Sequence, residues 1–218
     1  MEIMYKAYIF DLDGTLLDTI SDLCTAVNYA FDKFGYPNKD TKEVAAALGS
    51  GFTYLIRTLS PENCKDDKTV NQVVEVFSEY YKAHATVKTL PYEGTIEVLK
   101  EYNRLGKRCL IVSNKKDFMV KELVKKFFDG LVEYAQGEDE EHGIGKKPCP
   151  QMVLTAMEKC NLKKEDCVFI GDSEVDLLTA KNAELPCISV SWGFRSKETL
   201  LNSGATIILD KVEELLNY

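Results

Sequence analysis

The sequence has no CxxC pair, little histidine, no excess of positive charge and no apolar run long enough to span a bilayer. Its seven cysteines (Cys24, Cys64, Cys109, Cys149, Cys160, Cys167 and Cys187) are scattered, a pattern that suggests neither a zinc site nor a disulfide framework. Several sit in apolar runs, such as Cys109 in RCLIV and Cys167 in CVFI, and read as small core residues. Lys and Arg number 27 against 35 Asp and Glu, a net charge of -8, which argues against sequence-independent nucleic-acid binding. His84 and His142 stand apart from every motif and read as packing or surface residues. The opening MEIMYKAYIF has no basic region followed by a long apolar stretch, so no signal peptide is expected. These absences together fit a folded protein of a reducing cytoplasm, with no membrane and no nucleic acid among its partners.

What is present is a regular alternation. Short apolar runs at 8–10, 109–112, 167–170 and 187–190 read as buried strands, and helical patterns near 94–105, 116–128, 150–160 and 175–182 lie between them. Such alternation implies an α/β fold, a Rossmann-like parallel sheet with helices on both faces. From about Asp18 to about Thr89 only helical periodicity is found. Leu23, Val27, Ala30, Phe31 and Phe34 make one stripe, closed by Gly35 and Pro37; Val70, Val73, Val74, Phe77, Tyr80 and Tyr81 make another. That stretch reads as an inserted α-helical cap domain, 18–89, in a catalytic core formed by 1–17 and 90–218. The acidic stretch 137–143 reads as a solvated surface loop.

Four motifs fall at strand ends, where ligands bind in open parallel sheets. The first strand runs into Asp11-Leu12-Asp13-Gly14-Thr15. Two carboxylates just past a buried strand are costly unless they meet a cation or do chemistry. The second apolar run ends in Ser113-Asn114-Lys115, whose hydroxyl and amide can donate hydrogen bonds to a phosphoryl oxygen, or simply cap the next helix. In Gly145-Lys146-Lys147-Pro148-Cys149-Pro150 the prolines stiffen a turn that would hold one lysine in place. Gly171-Asp172-Ser173-Glu174-Val175-Asp176 follows another buried strand, with Asp172 and Asp176 spaced to share one side, or with Asp172 acting only as an N-cap.

In this order the four motifs resemble those of the haloacid dehalogenase superfamily, over nearly the whole chain and with the small helical cap after the first motif. Ser191-Trp192-Gly193-Phe194-Arg195-Ser196 and the cap stretch Leu48-Gly49-Ser50-Gly51-Phe52 resemble loops of phosphoglycolate phosphatases. The resemblance implies a phosphomonoester hydrolase in which Asp11 is the nucleophile, Asp13 the general acid and base, and Lys147 (Lys146 being the alternative) the lysine that adds positive charge and holds Asp11 ionised. It implies Mg2+ held by Asp11, Asp13 through its backbone carbonyl, and Asp172, with Asp176 orienting Lys147 or a metal-bound water. Thr15, Ser113, Asn114, Gly49 and Gly51 would bind phosphate or substrate. The partner would be a small phosphorylated metabolite, 2-phosphoglycolate first among candidates, and the protein a monomer or homodimer. A sugar-phosphate phosphatase, a nucleotidase or a pyrophosphatase would use the same catalytic residues, and a sugar-phosphate phosphomutase would share the aspartyl-phosphate but return phosphate to a sugar instead of water.

Overall fold

The computed structural model describes residues 5–218, Glu141 by its backbone only. Met1–Met4, part of the stretch expected to carry no signal peptide, lie outside the described residues. The chain divides into two compact units, Asp18–Leu90 and the remainder on either side of it.

The larger unit begins with β1 (Ala7–Phe10), whose four residues are all buried. Successive side chains of a strand point to opposite faces. Ala7 and Ile9 accordingly join one apolar cluster, and Tyr8 and Phe10 another. The chain leaves this unit through the short β2 (Leu17–Asp18). The helical unit then runs through α1 (Ile20–Phe34), α2 (Thr41–Ala46), α3 (Phe52–Leu59) and α4 (Asp67–His84). In α1 the residues Leu23, Val27, Ala30 and Phe31 are buried, and in α4 Val70, Val73, Phe77 and Tyr81, so each helix carries one apolar stripe and the two helices pack together. Asp22 is buried in the first turn of α1, and its carboxylate accepts from the Lys88 and Thr89 amides and the Thr89 hydroxyl at 2.8–3.0 Å.

β3 (Leu90–Pro91) pairs with β2 in a two-stranded ribbon. Then follow α5 (Thr95–Arg104), β4 (Arg108–Lys116), α6 (Asp117–Phe127), β5 (Tyr134–Glu138), α7 (Gln151–Lys159), β6 (Cys167–Gly171), α8 (Glu174–Asn182), β7 (Cys187–Val190), α9 (Lys197–Asn202) and β8 (Ile208–Leu209). The main sheet has the order β5-β4-β1-β6-β7-β8, and each of its described ladders is parallel. One face packs residues of α5, α6 and the 3₁₀ turn Val212–Asn217, among them Val98, Tyr102, Leu123 and Leu215. The other packs Met152, Val153 and Ala156 of α7 and Ala180 of α8. This is the α/β, Rossmann-like parallel sheet covered on both faces.

The strand order reverses at β1: the chain builds outward to β4 and β5 on one side, then to β6, β7 and β8 on the other. The crevice beyond the carboxyl ends of β1 and β6 is the topological switch point, where open α/β sheets bind ligands. One expectation needs correction here. Glu138 in the acidic stretch is not solvated: it ends β5, is 3% exposed and pairs with Lys116 at 3.0 Å.

Candidate active site

Asp11 directly follows β1, and its amide donates to the Ile170 carbonyl of β6 at 2.9 Å, so the ladder fixes its backbone. Leu12 is fully buried, and the amides of Leu16 and Leu17 both donate to its carbonyl at 3.0 Å, which curls the chain over the strand end. Gly14 lies at the turn with φ +85°; a Cβ there would sit 2.4 Å from Asp172 Oδ2. The close approach therefore requires a residue without a side chain.

Lys147 is buried, its ammonium 2.9 Å from Asp11 Oδ1 and 2.7 Å from Asp176 Oδ1. Lys146, the alternative, pairs instead with Glu140 at 2.7 Å. Asn114 explains how Lys147 is held: its amide group donates to the Lys147 carbonyl at 2.9 Å, and its oxygen accepts from the Lys147 amide at 2.6 Å. The Asn114 side chain, expected to face a phosphoryl oxygen, is thus engaged with the lysine loop. Ser113 is buried on the same strand end.

Asp176 is fully buried and closes a capping box with Ser173, its Oδ2 accepting from the Ser173 amide at 3.1 Å and hydroxyl at 2.6 Å. Ser173, not Asp172, is therefore the N-cap of α8. Asp172 accepts from the Thr15 hydroxyl at 3.2 Å and from the Phe194 amide at 2.7 Å. The Thr15 hydroxyl proton is directed at Asp172, where an interaction with phosphate was expected.

The charges do not balance. Carboxylate oxygens of Asp11, Asp172 and Asp176 lie within 4.8 Å of one another, with the Lys147 ammonium against two of these carboxylates. Burial pushes the Asp11 carboxyl up to about 6; Lys147 opposes the shift, and Asp176 and Asp13 add to it. Burial, reinforced by the charges of Asp176 and Asp11, raises the Asp172 carboxyl well above the ordinary range. Burial works against the Lys147 ammonium, yet Asp11 and Asp176 outweigh it and hold the amine more basic than usual. Asp11 Oδ1, though ion-paired with Lys147, is buried without an aligned hydrogen bond. A cluster of hard oxygens with surplus negative charge and an under-satisfied buried oxygen suits a divalent cation such as Mg2+. Asp176 has the Lys147 ammonium on Oδ1 and two Ser173 donors on Oδ2, whereas each Asp172 oxygen accepts one neutral donor, so Asp11 and Asp172 are the side chains better placed to hold it.

Asp13, two residues past β1, has both oxygens, at 2.9 and 2.7 Å, on the ammonium of Lys115, whose side chain is fully buried. Sequence reasoning gave Lys115 no role; the available signal was a lysine in an otherwise buried strand. Gly49 and Gly51 belong to the helical unit, between α2 and α3, with φ of 112° and 86°.

A buried aspartate at the end of the central strand, a buried lysine beside it and paired carboxylates at the switch point are the arrangement of a hydrolase of the haloacid dehalogenase type. The chain belongs to that family: the model of the haloacid dehalogenase-like hydrolases matches residues 8–190. Its relatives narrow the comparison. The phosphoglycolate phosphatase of Vibrio parahaemolyticus is 30% identical over 97% of this chain and 94% of its own length. Phosphoglycolate phosphatase 1 of Pseudomonas aeruginosa is 28% identical over 97% of this chain and 78% of its own. A solved structure from Lactobacillus delbrueckii subsp. bulgaricus, which bears a provisional phosphoglycolate phosphatase name, is 37% identical and covers 97% of both chains with a TM-score of 0.93.

Proposed function

We propose that this hydrolase removes phosphate from a small phosphomonoester, 2-phosphoglycolate being the first candidate, through a phosphorylated Asp11. The observation that carries this reading is Asp11 itself: a buried carboxylate at the switch point, one oxygen beside the Lys147 ammonium at 2.9 Å and lacking an aligned hydrogen bond. With its carboxyl near 6, Asp11 is largely ionised at neutral pH, the form that attacks phosphorus. Lys147 keeps that charge tolerable in a buried site and presents a positive centre to the incoming phosphate, while Asp176 and Asn114 hold the lysine in place.

Asp13, fixed by Lys115, protonates the leaving alkoxide and then takes the proton of the water that hydrolyses the aspartyl-phosphate. Ser113 and backbone amides at the ends of β1 and β4 bind the equatorial oxygens as charge develops. Bound Mg2+, held by Asp11, Asp172 and the Asp13 carbonyl, would supply the charge that offsets repulsion between phosphate and these carboxylates. The names of relatives that match along 97% of this chain support phosphoglycolate as substrate, and Gly49 and Gly51 are the proposed contacts to its leaving group.

We further propose a reducing, cytoplasmic setting, which the seven free cysteines favour, and action as a monomer or homodimer on a free metabolite. Among the described residues no helix is long and apolar enough to cross a membrane.

Phosphate release from a panel of alkyl phosphates, with and without Mg2+, tests the reading. The expected result is Mg2+-dependent release, with phosphoglycolate among the best substrates, and none from Asp11→Asn. Release that persists in Asp11→Asn would remove the nucleophile assignment. A phosphoenzyme that outlives the assay and needs a bisphosphate activator would point to a phosphomutase.

A further inference from the structure

We propose that the loop Ser191–Arg195 positions the Asp172 carboxylate for a divalent cation shared with Asp11, an inference that rests on the cation in the reading above. Five consecutive residues each hold a different part of the frame around Asp172. Ser191 anchors the start: its amide donates to the Leu209 carbonyl at 2.9 Å and its hydroxyl to Asp210 Oδ1 at 2.6 Å. Trp192 Nε1 donates to the Thr15 carbonyl at 3.0 Å, fixing the residue whose hydroxyl bonds Asp172 Oδ1. Phe194 donates its amide to Asp172 Oδ2 at 2.7 Å. Arg195 anchors the end on Glu174 of α8 through Nε at 2.9 Å and Nη2 at 3.2 Å.

Gly193 sits at the centre. A Cβ added to it would meet the Gly14 carbonyl oxygen at 2.3 Å, Asp172 Cβ at 2.4 Å and Asp172 Oδ2 at 2.5 Å. Asp172 is thus pressed between two backbone segments, Gly14 and Gly193, that are close enough to touch it only because neither has a side chain.

Bracing the sheet edge accounts for Ser191 and its bonds to Leu209 and Asp210. It does not account for the next three residues, which converge on Asp172 and Thr15. A carboxylate has about four lone-pair sites, so one donor on each oxygen leaves both able to accept a cation while stopping the group from turning. A ligand already fixed in orientation loses less freedom when the ion binds, and removing such outer supports typically lowers metal affinity about 10–100-fold.

The test is Mn2+ binding to the substrate-free protein, read from the electron paramagnetic resonance signal of the unbound ion. A parallel Mg2+ titration follows the fluorescence of Trp192, the single tryptophan. Gly193→Ala is expected to raise the Mn2+ dissociation constant about 10–100-fold with an unchanged circular dichroism spectrum. Trp192→Phe, followed by the Mn2+ signal alone, is expected to show a smaller loss in the same direction.

If the wild type binds Mn2+ and both Gly193→Ala and Trp192→Phe match its affinity, the loop only braces the sheet and the positioning role is overturned, with the phosphatase reading intact. If the wild type binds neither ion, the cation itself is refuted and the inference goes with it. Should Gly193→Ala fail to fold, Trp192→Phe decides by the same criterion.

Discussion

At the scale of single residues the site consists of two ion-paired groups, Lys147 with Asp11 and Asp176, and Lys115 with Asp13. The second pair separates two tasks that Asp13 could serve. If Lys115 holds Asp13 where it protonates the leaving group, Lys115→Met should harm substrates that need that proton and largely spare those that do not. Positioned proton transfer contributes about 10²–10⁴-fold, so kcat/KM on an alkyl phosphate should fall by roughly 10²-fold or more. On p-nitrophenyl phosphate, whose leaving group departs as a stable anion, the fall should be much smaller. Equal losses on the two substrates would instead make Lys115 a general support of the cleft. Asp11, Asp13, Lys147 and Asp172 could be picked out from the sequence because each abuts an apolar strand or a stiff turn. The partners of Asn114 and Thr15 could not. Both sit beside good phosphate-binding candidates, and only the fold shows that the Asn114 amide faces the Lys147 backbone and the Thr15 hydroxyl faces Asp172, 157 positions away.

At the scale of elements, β1, β4, β6 and β7 are continuous apolar runs because interior parallel strands are buried on both faces. The sequence reading missed β5 and β8, the two edges of the sheet. Tyr134–Glu138 reads YAQGE and offers no apolar run, while Ile208–Leu209 lies in the three-residue run Ile207-Ile208-Leu209, shorter than the runs of the inner strands β1, β4 and β6. The ribbon of β2 and β3, two residues each at the boundary of the helical unit, is too short to leave a strand pattern in the sequence. Within the helical unit, α1 is tied to the segment before β3 by Asp22, a buried carboxylate that accepts from two backbone amides and one hydroxyl. Asp22→Ala would leave these donors without their partner. Hydrogen bonds to charged groups are worth about 1.5–3 kcal/mol, and a loss of that order is expected in urea unfolding. A loss below the error of the method would mean that water replaces the carboxylate.

For the whole molecule, stability and chemistry make opposite demands on the same carboxylates. Asp11 is held at about 6 in the folded chain, above the ordinary value of 3.8. A folded-state value raised in this way contributes stability that is present below about pH 4 and lost as pH rises through about 6. The cation-free protein should therefore weaken across that window. Asp11→Asn, which carries no such charge, should be more stable than the wild type at pH 7.5 in chelator, with the difference shrinking towards pH 4. Mg2+ should raise the Tm of the wild type, and by more at pH 7.5 than at pH 5, since an ion that binds only the folded state stabilises it by mass action. Differential scanning calorimetry at the two pH values checks both statements; a Tm gain from Mg2+ that is equal at pH 5 and 7.5 would place the ion elsewhere.

The position of β1 also has a bearing on how the chain is made. Earliest of the described strands, it ends in the middle of the sheet, between Arg108–Lys116 and Cys167–Gly171. On the ribosome the strand before Asp11 must wait for both neighbours, while Asp18–Leu90 has its own internal packing to form in the meantime. An apolar strand left waiting is open to aggregation, and the hazard grows with the length of chain still to be translated. A chain that ends before Arg195 would contain the helical unit and five strands of the main sheet, yet would lack the Arg195–Glu174 bond that closes the frame around Asp172.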